Sequence, residues 1–158
     1  MTARNLALIA ALGSAALLLG ALAFQYLGGL APCKLCIWQR WPHGIAVVLG
    51  LVAMLGLVRP AALAGAAAML VGSGIGVYHA GVEQGWWQGP DTCTSSPIDG
   101  LSTQDLLNQI LAAPVVRCDE IAWSLMGISM AGWNAILSLV LAGIWVAAFV
   151  RSGTESGN

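Results

Sequence analysis

Charge is what this chain has least of. Its 158 residues include six Lys and Arg and seven Asp and Glu, 8% of the total, against about 25% in ordinary soluble chains. So few charged groups cannot cover the surface of a soluble domain of this length. The formal net charge of −1 leaves neither a basic face for nucleic acid nor an acidic tail. There is no CxxCH for haem attachment and no glycine fingerprint for a flavin or nicotinamide. What is abundant is apolar: 58% of the residues, with a mean hydropathy of +0.81. That composition excludes disorder, and the length allows one domain, an integral membrane domain over 1–158.

The gaps between charges set the architecture. No charge falls between Arg4 and Lys34, between Arg40 and Arg59, from Pro60 to Val82, or from Ile121 to Val150. A helix needs roughly 20 apolar residues to cross about 30 Å of hydrocarbon, so spans are expected over 6–27, 41–58, 61–82 and 124–150. The loops between them are 28–40 and 83–123. Backbone in hydrocarbon must satisfy its own hydrogen bonds, which makes these runs helices. Runs such as Gly65-Ala-Ala-Ala-Met69 and Gly72-Ser-Gly-Ile-Gly76 suit close helix packing. The expected fold is an all-α membrane protein, a four-transmembrane-helix bundle. Four spans put both termini on one side, together with a tight turn at Val58-Arg59-Pro60. Arg4, Arg59 and Arg151 on that side balance Lys34, Arg40 and Arg117 on the other. Arg117 counts for less in its long loop and Arg40 lies beside cysteines, so the N and C termini are read as cytoplasmic. Trp38, Trp41, Trp86, Trp87 and Trp123 flank the other side as an aromatic belt would.

Two segments carry competing readings. Met1-Thr-Ala-Arg4, an apolar run and Ala21-Leu-Ala23 imitate a signal peptide, but the run continues past residue 23 and exceeds the usual core of such a signal. In the long loop, Ser102-Thr-Gln-Asp105 reads as a helix cap. It opens a stripe of Leu106, Leu107, Ile110 and Leu111 that Pro114 ends. This short amphipathic helix either lies on the membrane surface or packs on the bundle.

All four cysteines fall in the outer loops: Cys33 and Cys36 in the short one, Cys93 and Cys118 in the long one. An even number in one compartment points to disulfide chemistry in an oxidising space, which in a bacterium is the periplasm. The CxxC Cys33-Lys-Leu-Cys36 is by itself ambiguous between redox work and half a zinc site. Cys93 and Cys118 lack the spacing of a second half-site. Pro32 precedes the motif and a helix follows it, which puts Cys36 near a helix N-terminus that favours a thiolate. Arg40 stands one turn further on the same face, either to stabilise that thiolate or to snorkel to headgroups. Oxidising a dithiol releases two electrons and two protons, and a quinone dissolved in the bilayer is the natural acceptor at this place.

The residues Pro32-Cys-Lys-Leu-Cys36-Ile-Trp-Gln-Arg40, Tyr78-His-Ala-Gly-Val-Glu83 before Thr92-Cys93, Arg117-Cys-Asp-Glu-Ile-Ala-Trp123, and Gly127-Ile-Ser-Met130-Ala-Gly-Trp133-Asn134 resemble the DsbB family. These are membrane proteins that use quinone to reoxidise a periplasmic thiol oxidase, and the likeness covers residues 4–150. The resemblance implies that Cys93 and Cys118 form a loop disulfide attacked by a reduced DsbA-like partner of thioredoxin fold, most directly at Cys93. Cys33 and Cys36 then reoxidise that pair, with Cys36 facing the quinone, ubiquinone or menaquinone. Arg40 polarises the quinone, His79 and Met130 stand near it, and Gln39 is adjacent. No metal is implied. The same resemblance places the chain in the bacterial inner membrane, its active site and long loop on the periplasmic face. The established potential of a DsbA-type oxidant, about −120 mV, is unusually oxidising for a protein dithiol, so a stronger acceptor must drain it. Read without the resemblance, His79 is a packing or headgroup contact, Met130 fills a gap, and Trp123 and Trp133 pack in the belt. Asp119 and Glu120 form a solvated loop face, and Cys93–Cys118 staples a long loop. The corresponding alternatives for the whole chain are a disulfide-stapled scaffold, a quinone reductase of the vitamin K epoxide reductase type, or a zinc-holding protein.

Overall fold

The computed structural model describes residues 1–90, 102–112 and 116–155. In chain order the elements are α1 (Ala3–Tyr26), α2 (Lys34–Met54), α3 (Val58–Glu83), a short α4 (Thr103–Ala112), an antiparallel pair β1 (Ser124–Leu125) and β2 (Ile128–Ser129), and α5 (Met130–Glu155). The four long helices are each long and apolar enough to cross a membrane, and the protein is a multi-pass membrane bundle. α1 and α3 each pack against both α2 and α5, so the four form a ring. Both termini lie at one end, where the Ala3 amide donates to the Glu155 carboxylate at 3.1 Å.

The bundle is built inside out relative to a soluble one. Its interior holds Ala7, Ala11 and Ser14 from α1, Ala46, Gly50 and Ala53 from α2, Gly65, Met69, Gly72 and Gly76 from α3, and Ala135, Ser138, Ala142 and Trp145 from α5. Leu12, Leu19, Leu51, Leu63, Leu70 and Leu139 point outward, each more than half exposed. Lipid is as apolar as leucine, so burying leucine gains little. Small residues that let backbones approach supply the packing instead. A Cβ on Gly65 would stand 2.5 Å from the Trp145 ring, and one on Gly76 would stand 2.9 Å from the Ala135 nitrogen. At that same level Ser73 Oγ donates to the Ala135 carbonyl at 3.0 Å, tying α3 to α5.

The helices do not stop where the charge-free runs stop. α2 begins at Lys34 rather than at residue 41, so the short outer loop shrinks and both CxxC cysteines join the helix start. Only lost hydrogen-bond partners end a helix, and neither Lys34 nor Arg40 removes one. The inner turn lies at Leu55–Leu57, where Gly56 takes a φ of 95°. Arg59 and Pro60 sit instead in the first turn of α3, where proline needs no amide partner. α5 starts at Met130 rather than 124, because residues 124–129 form the hairpin. Its turn places Met126 and Gly127 at φ 53° and 77°, the primed-turn geometry of two-residue hairpins. The Ser129 hydroxyl then accepts the Gly132 amide at 3.2 Å and caps α5. The expected loop helix is α4. Leu107 and Leu111 on it are exposed, while the side chains of Leu106 and Ile110, with Pro114, lie outside the described residues. At the outer end of α3, Tyr78 stacks on Trp87 with centroids 5.9 Å apart, and Trp87 Nε1 donates to the Tyr78 carbonyl at 2.7 Å.

Candidate functional site: a dithiol at a helix start above an apolar cavity

Cys33 is the N-cap of α2. Its Sγ accepts the Cys36 amide at 3.2 Å, and Cys36 sits in the first turn. Both are free thiols, with sulfurs 2.7 Å apart. The unpaired amides of a helix start favour negative charge there. Cys33 is buried and Cys36 only half-buried. A hydrogen bond to the Cys36 sulfur, and then burial, push the Cys33 thiol far above the ordinary cysteine range. Cys36 is the more exposed of the two sulfurs and stands in the first turn of α2, where the helix start favours a nucleophilic sulfur. A small maleimide applied to the reduced protein should modify Cys36 first, read by peptide mass mapping. Equal labelling of both would contradict this assignment.

Cys118 is fully buried and disulfide-bonded. It packs in one apolar cluster with Cys33, Leu35 and Val82, against which Cys36 also lies. Three of the four cysteines thus meet at the outer end of the bundle. Cys93 lies outside the described residues. Beside Cys118, Arg117 donates to both Asp119 oxygens at 3.0 and 2.6 Å. That guanidinium holds the Asp119 carboxyl below the usual carboxylate range. Glu120 reaches the same arginine at 3.6 Å, so the acidic face is solvated, as expected, and is organised around Arg117.

The polar candidates of α2 turn inward. Arg40 does not snorkel: its Nη1 donates to Gln25 Oε1 of α1 at 2.6 Å and its Nη2 to the Ala21 carbonyl at 3.5 Å. Neutral acceptors hold the guanidinium, so its charge is not consumed by a carboxylate. Gln39 is buried between His79 and Asn134. Its Nε2 lies 2.7 Å from His79 Nδ1, and its Oε1 accepts Asn134 Nδ2 at 2.6 Å. The other ring nitrogen of His79 lies 3.5 Å from Cys33 Sγ and 3.9 Å from Glu83 Oε1. Asn134 Oδ1 continues to His43 Nε2 at 2.9 Å.

These groups line one cavity beneath the cysteines. Its apolar wall includes Leu17, Leu18 and Ala21 of α1, Met130 of α5, and the pair Phe24 and Trp123, whose rings are 5.2 Å apart. Cys36, Arg40 and His79 are the polar groups by which such a wall would orient a flat, apolar carbonyl compound, and the residues fit a quinone. A metal fits less well. Cys33, Cys36 and His79 bring ligand atoms within 4.8 Å of one another. However, tetrahedral zinc with bonds of about 2.3 Å would hold two sulfurs roughly 3.8 Å apart, wider than the 2.7 Å found.

Of the expected site residues, the structure brings together Cys33, Cys36, Cys118, Gln39, Arg40, His79 and Met130. Gln25 and His43 are functional-site residues outside every quoted motif, and Glu83 and Asn134 stand in quoted motifs that assign them no role. A polar residue inside an apolar run is the signal that could have found Gln25, His43 and Asn134.

The sequence profile of the family described as "Disulfide bond formation protein DsbB" matches residues 3–148. "Disulfide bond formation protein B" of Stutzerimonas stutzeri (strain A1501) is 30% identical over 159 residues, covering 90% of this chain and 93% of its own. The protein of that name in Dechloromonas aromatica (strain RCB) is 28% identical, covering 89% of this chain and 88% of its own. The chain is also similar to the uncharacterized protein RP370 of Rickettsia prowazekii (strain Madrid E), at 30% identity over 74% of this chain and 70% of that one.

Proposed function

Since this chain belongs to the DsbB family of disulfide bond formation proteins, we propose that it is a protein dithiol:quinone oxidoreductase that reoxidises a DsbA-like periplasmic oxidase of thioredoxin fold. The observation that carries the reading is the position of Cys36. It is a free, half-buried sulfur at a helix start that opens on an apolar cavity holding an inward-turned arginine. A quinone bound there, ubiquinone or menaquinone, supplies a two-electron, two-proton acceptor soluble in the bilayer.

The roles of the chain's own residues follow from their placement. Cys93 pairs with Cys118 in the disulfide that a reduced partner attacks at Cys93, releasing the Cys118 thiolate. Cys118, packed beside Cys33, passes the two reducing equivalents to the CxxC by thiol–disulfide exchange. Each exchange needs a thiolate attacker and a good leaving thiolate, and the helix start provides both at Cys36. Arg40 holds negative charge near Cys36 and orients a carbonyl oxygen. His79 hydrogen-bonds at the Cys33 end, and Met130 closes the wall. Gln39 acts through His79, because its amide is already engaged by protein groups.

The membrane is the bacterial inner membrane, with the cysteine end periplasmic. An impermeant maleimide added to intact, reduced cells should label the CxxC, and protection of that site until the membrane is permeabilised would reverse the orientation. The function is tested with purified protein in vesicles. Quinone absorbance should fall only when a reduced thioredoxin-fold dithiol is supplied, and no loss under those conditions defeats the reading. Arg40→Ala should raise the KM for quinone roughly tenfold, about 1.4 kcal/mol of binding, while partner exchange at the loop disulfide continues. An unchanged KM would return Arg40 to a purely structural place on Gln25.

A further inference from the structure

One ring nitrogen of His79 joins the CxxC to the loop cysteine, and Gln39 fixes the proton on it. Gln39 Oε1 accepts from Asn134 Nδ2 at 2.6 Å, and its Nε2 lies 3.4 Å from the Leu35 carbonyl, which can only accept. Both contacts hold the carboxamide in one orientation, so its Nε2 donates to His79 Nδ1 at 2.7 Å. A donor facing Nδ1 leaves that nitrogen bare. The ring is then neutral and carries its proton on Nε2. Nε2 lies 3.5 Å from Cys33 Sγ, and the Cys118 backbone also hydrogen-bonds the ring. Nδ1 is already taken by Gln39, so the Cys118 bond falls on Nε2, and a donor there requires the Cys118 carbonyl as its acceptor. A carbonyl oxygen is a far better acceptor than a thiol sulfur. Glu83 Oε1, at 3.9 Å, stands beyond hydrogen-bond reach.

We propose that His79 is the positioning residue for disulfide exchange between the two cysteine pairs: with its ring oriented by Gln39, its Nε2–H clamps the Cys118 backbone beside Cys33 and so selects Cys33 as the sulfur that Cys118 meets. The clamp rests on the exchange of reducing equivalents proposed above and deepens it at one step. When a partner thiolate opens the loop disulfide at Cys93, the Cys118 thiolate attacks Cys33 of an oxidised CxxC. The Cys118–Cys33 bond forms, the Cys33–Cys36 bond breaks, and the electron pair leaves on Cys36. No proton moves in this step, and His79 keeps its own throughout as a fixed donor. The need for a clamp lies in the chain around Cys118. Cys33 is held as the N-cap of α2 and His79 stands inside α3, but residues 116–123 belong to no helix or strand. A hydrogen bond from a rigid helix to that irregular segment fixes where the Cys118 sulfur can go, and exchange rates depend on how often the two sulfurs stand in reach. Cys118 is fully buried, so losing the N–H takes a hydrogen bond from a buried carbonyl, which the segment relieves by moving.

The clamp is measured on the full chain with neither quinone nor partner. In a background of Cys36→Ser and Cys93→Ser, Cys33 and Cys118 are the two cysteines left. The equilibrium of their disulfide with glutathione, read by mass mapping after an acid quench, gives the effective concentration of one sulfur at the other. His79→Phe should lower it roughly tenfold, on the scale of one lost buried hydrogen bond. His79→Gln, whose amide N–H can stand where Nε2–H stood, should restore most of it. A role in packing alone would be met by the ring of Phe rather than by Gln. Gln39→Met should lower it less and, in 15N-histidine spectra, give a form of His79 protonated at Nδ1 that the unsubstituted protein lacks. An unchanged effective concentration in His79→Phe overturns the clamp, and so does a loss in His79→Gln as large as in His79→Phe. Where a variant fails to assemble, the unsubstituted protein decides. Labelled with 15N-histidine and 13C-carbonyl cysteine, it should show His79 Nε2 protonated and dipole-coupled to a cysteine carbonyl. His43, the one other histidine, faces Asn134 and Ser138 and should show no such coupling. A proton on His79 Nδ1 instead, or no coupling, overturns the clamp. Quinone and partner are absent throughout, so failure of the enzymatic reading and failure of the clamp are separable.

Discussion

Cys36→Ser is expected to lower quinone reduction by a reduced thioredoxin-fold partner by a thousandfold or more, on the order seen when an enzyme loses its nucleophile. The reason lies in the electrons rather than the packing. Serine nearly matches cysteine in size, and Cys36 is only half-buried, so the variant keeps its bundle. It also keeps the Cys36 amide bond to Cys33 Sγ, which uses backbone. What it loses is the sulfur that forms the disulfide and faces the cavity. The measurement is the decay of quinone absorbance under steady supply of reduced partner, with intact assembly checked by gel filtration. Residual turnover above a few per cent would mean that electrons reach quinone by another route, and the assignment of Cys36 would fall. The loop disulfide of Cys118 should still exchange with the partner in this variant, accumulating a mixed disulfide visible on a non-reducing gel.

The second large effect is on stability. Gly76→Leu should destabilise the bundle by well over the 1–3 kcal/mol typical of an overpacked core, while Gly74→Ala two residues away should be harmless. A Cβ at Gly76 would stand 2.9 Å from the Ala135 nitrogen and 3.0 Å from its Cα. Those are backbone atoms of α5 and cannot turn aside as a side chain can, so α3 and α5 must separate. The separation would also strain the Ser73 to Ala135 hydrogen bond and disturb the cavity one turn above, where His79 and Asn134 face each other across Gln39. A Cβ at Gly74 meets nothing within 4 Å, and alanine is the better helix former by about 1 kcal/mol. Thermal inactivation in detergent checks both. Similar midpoints for the two variants would show that α3 and α5 do not pack as closely as described.

The limits of sequence reading show at particular residues. The span edges fell short where charge was taken as a boundary: Lys34 and Arg40 are charged, yet α2 runs through both, because a charged side chain, whether it faces water or turns inward, takes no hydrogen-bond partner from the backbone. The hairpin at 124–129 was missed because two-residue strands carry no period. Arg40 was legible as a charge one turn below Cys36, but not its direction, which depends on Gln25 in another helix. His43 was visible only as a polar residue in an apolar run. Its partner Asn134 is 91 positions away, a separation at which no local pattern operates.

The sequence by itself determined that the chain lives in a membrane, crosses it four times, and gathers its cysteines at one end. Those properties depend on transfer free energy and chain direction, which are sums over local residues. Only the tertiary structure decided which polar side chains face one another. The inward turn of Arg40, the seat of Cys118 beside Cys33, and the unbroken line from His79 to His43 all arise where helices distant in sequence approach through alanine and glycine. Close approach leaves each buried polar group few partners, so the packing, not the order of residues, chose them.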